Sequence, residues 1–232
     1  MMKEEVLSFH ELEIGYPSNS LSAPINLSIC EGDLIALMGL NGVGKTTLFK
    51  TILKEQAPLN GVIKFKGKEL KISDLQHAIG VVYTERTHIF GFTVRDLIAM
   101  GRMPHTNRFG KLSDKDNAII DYYIAHLELE PIANKQIDNL SDGQFQKVMI
   151  ARALAQETPI ILLDEPTAFL DVKNKLMIYN LLKKLAKEQG KTILVSTHHI
   201  EFCNKFCNKA FLLKDKKLTE KKATEITEED FD

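Results

Sequence analysis

The sequence has few cysteines, no long apolar segment and no excess of charge of either sign. Its three cysteines, an odd number, do not make a disulfide framework. No apolar run approaches the roughly 20 residues that span a bilayer, and the first residues lack the apolar core of a secretory signal. We therefore expect a soluble cytoplasmic protein with reduced thiols.

Two cysteines, Cys203 and Cys207, lie close in sequence to His198 and His199, so a Cys/His metal site is one interpretation. Their spacing is uncommon among zinc sites, and no second Cys/His pair follows. We favour ordinary reduced thiols and keep metal ligation as the alternative.

Charge and length narrow the class of protein. The net charge of −1 and pI near 6.7 argue against a nucleic-acid binder, since phosphate contacts need clustered Lys and Arg. With 232 residues and 44% apolar composition, the chain can form one large domain or a domain with a sizeable subdomain. No repeat of solenoid length and no low-complexity linker divides the sequence.

A glycine-rich segment matches the pattern G-x-x-x-x-G-K-[ST], between a predicted strand (34–38) and a predicted helix (45–54). Glycines leave backbone N–H groups free to bind a triphosphate, and the helix start adds partial positive charge. Lys45 can then reach the β- and γ-phosphates, and the Thr46 hydroxyl can ligate Mg²⁺. The candidate nucleotide-binding residues are Gly39, Leu40, Asn41, Gly42, Val43, Gly44, Lys45, Thr46 and Thr47. The alternative is a turn that matches the pattern by chance.

The rest of the pattern predicts strands on both sides of a helical block. Alternating segments near the start predict a small antiparallel sheet, and Asn60-Gly61 predicts a tight turn beside it. Helical patterns cover 94–100, 115–129, 141–156 and 172–189. We expect the first three helices to form an inserted subdomain, and the charged end of the chain to be solvated.

A second constellation follows the helical block. Residues 160–163 are apolar, which is typical of a strand buried in a parallel sheet, and two acids follow at the end where ligands bind. Asp164 fits an acid associated with Mg²⁺, and Glu165 fits a base that polarises the attacking water. The alternative is a solvated acidic turn. Strand 192–196 then places His198 at the same edge of the sheet. Its role there is either contact with the γ-phosphate or a purely structural one.

Between the two nucleotide motifs stands Leu140-Ser141-Asp142-Gly143-Gln144. Together with the phosphate loop, the strand ending in Glu165, residues 168–171 and Ser196-Thr197-His198, all in order, it resembles an ABC transporter ATP-binding subunit. The resemblance implies an α/β fold. This fold is a P-loop NTPase core with a mostly parallel sheet and flanking helices, plus an N-terminal antiparallel β subdomain and an inserted α-helical subdomain.

The same resemblance implies one domain over residues 1–232. Residues 1–84 and 157–232 would form the nucleotide-binding core with the antiparallel β subdomain, and residues 85–156 the helical subdomain with the signature motif. ATP and Mg²⁺ are the implied ligands.

The resemblance also implies roles by position. Tyr16 is similar to the A-loop aromatic under adenine, although a lone tyrosine is more often simple packing. Thr46 and Asp164 would hold Mg²⁺. Glu165 would be the catalytic carboxylate, Asp171 the D-loop acid and His198 the switch histidine. In this family the signature loop contacts the ATP of the other subunit, which implies a homodimer around two nucleotides; the residues concerned are Ser141, Asp142, Gly143 and Gln144.

Two positions depart from the family pattern. Asp142 replaces a usual glycine; a γ-phosphate would repel its carboxylate, so we expect the side chain to point away or to cap the helix. Thr84 stands where the glutamine of the Q-loop, which helps to hold Mg²⁺ and senses the membrane partner, is usual. Threonine has a shorter reach, so we expect a water or Glu85 to compensate.

Residues 92–105 resemble the T-V-R-[ED]-L…G-R-x-P-[HYW] segment of ATPases that serve siderophore-iron, haem and cobalamin importers. This implies a bacterial importer subunit at the cytoplasmic face of the cell membrane, coupled to permease subunits and a substrate-binding protein. We expect residues 84–108 to contact the permease; the alternative is helix packing within the subdomain. Three functions stay open: import of another cargo such as a metal ion, a non-transport ABC ATPase acting on nucleic acid or a ribosome, and ATP binding without turnover.

Overall fold

The computed structural model describes residues 4–84 and 91–231 of the chain. Its strands are, in chain order, β1 (Glu5–Glu13), β2 (Gly15–Tyr16), β3 (Asn19–Ser20), β4 (Ile25–Cys30), β5 (Leu34–Met38), β6 (Asn60–Phe65), β7 (Lys68–Glu69), β8 (Ile79–Val82), β9 (Ile160–Asp164), β10 (Thr192–Ser196), β11 (Lys209–Lys214) and β12 (Lys217–Lys222). Its α-helices are α1 (Lys45–Ile52), α2 (Leu75–Ala78), α3 (Val94–Ala99), α4 (Asp114–His126), α5 (Asp142–Ala155), α6 (Val172–Gln189) and α7 (Ile200–Phe206).

The central sheet has the strand order β12-β11-β5-β10-β9-β8. Strands β11, β5, β10, β9 and β8 run parallel, and β12 pairs antiparallel with β11 at one edge. Every residue of β5, β9 and β10 is buried, because both faces of these strands are covered. The apolar runs that predict buried strands therefore form the middle of the sheet.

Successive residues of the central strands face opposite cores, as the side-chain period of two requires. Leu34, Ala36 and Met38 belong to a core shared with residues of α3 to α7. Ile35 and Leu37 belong to a second core, shared with α1 and β1. The sheet thus separates most of the helices from the small antiparallel layer.

That second layer is a sheet of order β4-β1-β6-β7, and all of its pairs are antiparallel. The predicted tight turn at Asn60-Gly61 is wrong, since both residues lie inside β6. Gly61 has a φ of 79°, and a β-carbon there would lie 2.2 Å from the carbonyl oxygen of Glu11. Glycine is therefore needed for a close approach of β6 to β1, not for a reversal of the chain.

The fold class predicted from the sequence is confirmed: a mostly parallel sheet with flanking helices, an antiparallel β layer, and helices α3 to α5 between β8 and β9. α6 has its predicted bounds, and Gly190 follows it in the left-handed conformation. In the two described ranges, no helix is both long and apolar enough to span a membrane.

The end of the chain is solvated only in part: Glu228 and Glu229 are exposed as expected, but the chain around them packs on the protein. After β12, the 3-10 helices Ala223–Glu225 and Glu228–Phe231 fold back on the protein. Ala223 and Ile226 are buried in the same core as α7, and Lys221 pairs with Asp230. Two apolar side chains within a charged segment are enough to dock it.

Candidate functional site

The loop from β5 to α1 closes around a buried lysine. Lys45 is 6% exposed, and its Nζ donates hydrogen bonds to the carbonyl oxygens of Gly39 (2.8 Å) and Leu40 (3.0 Å). Burial lowers the pKa of Lys45, while the carboxylates of Glu165 and Asp164 act in the opposite direction. The carbonyl groups of the loop therefore hold a cation whose desolvation is partly offset by two acids.

Glycine at position 39 lets the loop approach β11. Its φ is 149°, and a β-carbon there would lie 2.4 Å from the carbonyl oxygen of Leu213. Gly42, at a φ of 79°, faces open space instead. The first glycine is required by a backbone contact, whereas the second is required only by its backbone conformation.

The carboxylate of Asp164 joins three elements at the carboxyl end of β9. Its Oδ2 accepts a hydrogen bond from Thr46 Oγ1 at 2.7 Å, and its Oδ1 accepts one from Ser196 Oγ at 2.5 Å. Ser196 Oγ in turn accepts the backbone N–H of Glu165 at 2.8 Å. The Asp164 carboxylate thereby links the end of β9 to the end of β10 and to the first turn of α1.

Glu165 projects from a strained backbone. Its φ of 43° lies in the left-handed region, which non-glycine residues seldom adopt. His198 Nδ1 lies 3.8 Å from Glu165 Oε1, and the two side chains are 57% and 26% exposed. A carboxylate and an imidazole thus stand side by side, both reachable from solvent.

Lys45, Thr46, Asp164 and Glu165 meet in one cleft of about 420 Å³, and His198 is not among the residues that line it. The residues lining it are Asn41, Gly42, Gly44, Lys45, Thr46, Thr47, Thr84, Asp164 and Glu165. Backbone amides at a helix start and a lysine suit a polyphosphate anion. The Thr46 hydroxyl and the Asp164 carboxylate are hard oxygen donors 2.7 Å apart, which fits Mg²⁺, an ion usually held by one or two carboxylates plus substrate phosphates.

Thr84 also lines this cleft, and its hydroxyl donates to the carbonyl oxygen of Asp164 at 2.7 Å. Tyr16 is 46% exposed on the ribbon of β2 and β3, and is not among the lining residues. Its position under adenine stays a prediction. The expectation for Glu85 falls outside the described residues.

The predicted signature residues lie at a different cleft. Ser141 is the N-cap of α5 and forms a capping box with Gln144, and Asp142 is in the first turn of that helix. Ser141, Asp142, Gly143, Gln144 and Asp171 line a cleft of about 710 Å³. Asp171 caps α6 by accepting the backbone N–H of Asn174 at 2.7 Å. Within one chain, this surface shares no lining residue with the phosphate-loop cleft.

One site residue had no assigned role in the sequence interpretation. Ser196 is fully buried and bonds both to Asp164 and to Glu165. The sequence could have indicated this role, because Ser196 ends an apolar strand, β10, that pairs with β9, the strand that carries the acids. Cys203 and Cys207 are buried free thiols, away from the cleft lining.

A phosphate loop that opens a helix, with two acids at the end of a nearby parallel strand, defines a P-loop nucleotide-binding protein. Residues 23–168 match the family model described as ABC transporter. The chain belongs to this family, as one of its ATP-binding subunits with ATPase activity, and the resemblance seen in the sequence is confirmed.

Two relatives and two solved structures show how far the similarity extends. An uncharacterised ABC transporter ATP-binding protein of Methanocaldococcus jannaschii is 40% identical, over 92% of this chain and 74% of that protein. The iron(3+)-hydroxamate import ATP-binding protein FhuC of Bacillus subtilis is 36% identical, over 90% of this chain and 78% of that protein.

Of the solved structures, one is a transporter described as of the metal-chelate type in an inward-facing conformation; it has a TM-score of 0.84 and 31% identity, over 97% of this chain and 87% of that one. Another is a dimeric ATP-binding cassette in a post-hydrolysis state with ADP and Pi. Its TM-score is 0.83 with 31% identity, over 94% of this chain and 98% of that one. The architecture of a whole cassette is therefore shared.

Proposed function

We propose that this chain binds ATP with Mg²⁺ and hydrolyses it to drive a membrane importer for an iron-siderophore, haem or cobalamin type of cargo. The observation that carries the proposal is the single cleft in which Lys45, Thr46, Asp164 and Glu165 meet. Lys45 would contact the terminal phosphates once its bonds to the loop carbonyls are exchanged. Thr46 and Asp164 would hold Mg²⁺, which neutralises charge on the phosphates when it is bound.

The chemical step in this proposal belongs to Glu165 and His198. Glu165 orients the attacking water and accepts its proton, and Ser196 holds the Glu165 backbone toward the cleft. His198, 57% exposed beside Glu165, stabilises the negative charge that develops on the γ-phosphate. Gly39 to Thr47 supply backbone donors to the phosphates, and Tyr16 stacks on the adenine.

Two copies are needed because the signature surface lies at a separate cleft from the phosphate loop. In the proposed homodimer, Ser141 and the first backbone N–H groups of α5 contact the nucleotide bound to the other copy. Asp171 lines the same cleft as the signature residues. A solved relative described as dimeric supports this arrangement.

The permease contact is proposed on the exposed face of residues 91–108. Arg102 is buried and Gly101 packs against the Arg152 carbonyl oxygen, so these positions of the motif are structural. Met100 and Met103 are 39% and 56% exposed. Helix packing therefore accounts for the buried face of this segment, and the permease contact is proposed for the exposed face. The contact would place the chain at the cytoplasmic face of the cell membrane, in a system that includes a substrate-binding protein.

The test of the chemistry is Mg²⁺-dependent ATP hydrolysis across protein concentration, with Glu165→Gln beside the unmodified chain. We expect specific activity to rise with concentration, and the variant to lose about 100-fold or more in kcat while it still binds ATP. Glu188→Gln, an exposed acid on α6, is the matched control. Unchanged turnover in Glu165→Gln would contradict the role of Glu165.

The cargo is tested with the chain assembled on its permease in vesicles. ATPase activity should rise when an iron-siderophore, haem or cobalamin is supplied with the substrate-binding protein. Stimulation by a free metal ion alone, with none from the chelates, would contradict the proposed cargo class.

A further inference from the structure

The peptide group that joins Asp164 to Glu165 is held at both of its polar ends. Its carbonyl oxygen accepts a hydrogen bond from Thr84 Oγ1 at 2.7 Å, and its N–H donates to Ser196 Oγ at 2.8 Å. Thr84 follows β8 and Ser196 ends β10, the two strands that flank β9. The peptide is therefore fixed in its plane from both neighbouring strands.

A peptide at this position needs such support. Glu165 has a φ of 43°, and left-handed backbone is unfavourable for a non-glycine residue. A strained conformation persists only where the surroundings hold it, and here two side-chain hydroxyls do so. Rotation of this peptide would move the Glu165 carboxylate, because the Glu165 Cα, which carries the side chain, is bonded directly to the peptide nitrogen.

We propose that Thr84 is a positioning residue that sets the orientation of the Glu165 carboxylate. The proposal rests on the proposed role of Glu165 as the base in ATP hydrolysis. Thr84 suits the task because Val82 pairs with Leu163, so position 84 lies beside the carbonyl of Asp164 with only a short distance to bridge. Its single hydroxyl proton is given to that carbonyl and is not available as a donor to nucleotide.

Thr84 then has a role of its own, different from that of the glutamine usual at this position. At this position a glutamine acts through a long side chain, whereas Thr84 acts on the backbone of the adjacent strand. The threonine then helps to fix the orientation of the Glu165 carboxylate, and its presence in place of glutamine is not a sign of lost turnover.

The test compares Thr84→Val, which has nearly the same shape without the hydroxyl, with Thr84→Ser, which keeps the hydroxyl. We expect Thr84→Val to lower kcat by about 10-fold with less than about a 2-fold change in KM for ATP, and Thr84→Ser to restore most of the rate. Thr158→Val is the matched control, since buried Thr158 donates to the Ile160 carbonyl at 2.9 Å, at the opposite end of β9. It should leave kcat unchanged.

A second measurement does not depend on turnover. In amide hydrogen exchange followed by NMR, the Glu165 N–H should exchange about 10-fold faster in Thr84→Val than in the unmodified chain, and amides of β5 should not change. Unchanged Glu165 exchange, or equal kcat in Thr84→Val, would overturn the proposal. Full activity of Glu165→Gln would instead refute the role of Glu165 in hydrolysis. The exchange rate of the Glu165 N–H would then still show whether Thr84 holds the Asp164–Glu165 peptide.

Discussion

Replacement of Arg102 by methionine should destabilise the protein more than any change to a surface ion pair. The Arg102 side chain is 2% exposed, in the segment of chain that follows α3. Its Nε donates to Asp116 at 2.8 Å, and its Nη1 donates to the Ala155 carbonyl at 2.6 Å and to Glu157 at 2.9 Å. The residue thus joins the segment after α3 to α4 and to the end of α5.

The magnitude follows from what the substitution leaves behind. Methionine fills most of the volume, but Asp116 Oδ1 and the Ala155 carbonyl lose the hydrogen bonds from Arg102, and of the described residues only Ser113 still donates to the Asp116 carboxylate, at Oδ2. Removal of one partner from a buried ion pair costs about 3–5 kcal/mol. Glu157 is 39% exposed and can be hydrated, so its loss adds little, and we expect about 3–4 kcal/mol. For a chain of this length that is a decrease in Tm of roughly 10 °C.

The assay is denaturant unfolding of the unmodified chain, Arg102→Met, Asp116→Asn and the double variant. The two sites should show a coupling free energy of about 2 kcal/mol or more, since they contact one another. Arg95→Met is the control, because Arg95 and Asp121 pair on the surface with side chains 36% and 63% exposed, and it should cost less than about 1 kcal/mol. A cost below about 1 kcal/mol for Arg102→Met would refute the reasoning.

Three further predictions follow from other parts of the fold. Gly39→Ala should abolish binding of a fluorescent ATP analogue, because its β-carbon would lie 2.4 Å from a backbone oxygen, whereas Gly42→Ala should weaken it only moderately. Ile226→Ala should cost about 2–4 kcal/mol in chemical unfolding, because Ile226 is 1% exposed. Hydrogen bonds from Ser113, with a contribution from Arg102, lower the pKa of Asp116 to about 2. The folded state therefore binds fewer protons than the unfolded one, so the stability that Asp116 contributes is present above about pH 4 and is lost toward pH 2; Asp116→Asn should flatten that decrease in an unfolding series.

Local sequence was sufficient where a residue's role follows from its neighbours along the chain. The phosphate loop and the acids at the end of β9 were located from the sequence pattern, because each belongs to a strand and the turn that follows it. The bounds of α6 followed from the helical periodicity of residues 172–189. The tight turn predicted at Asn60-Gly61 was wrong, because a glycine with positive φ occurs at close contacts between strands as well as in turns.

The motifs and their order could be read from the sequence, because apolar period and turn residues are local properties, and the fold class followed from the family resemblance that these motifs carry. Which distant groups meet could be seen only in the folded chain. The strand order placed Thr84, Ser196 and the Asp164–Glu165 peptide in one bonded set, and packing buried Arg102 in a segment for which the sequence left both a permease contact and helix packing open. Those contacts depend on strand order and register in the sheet, and residues far apart in sequence become neighbours only when the sheet is assembled.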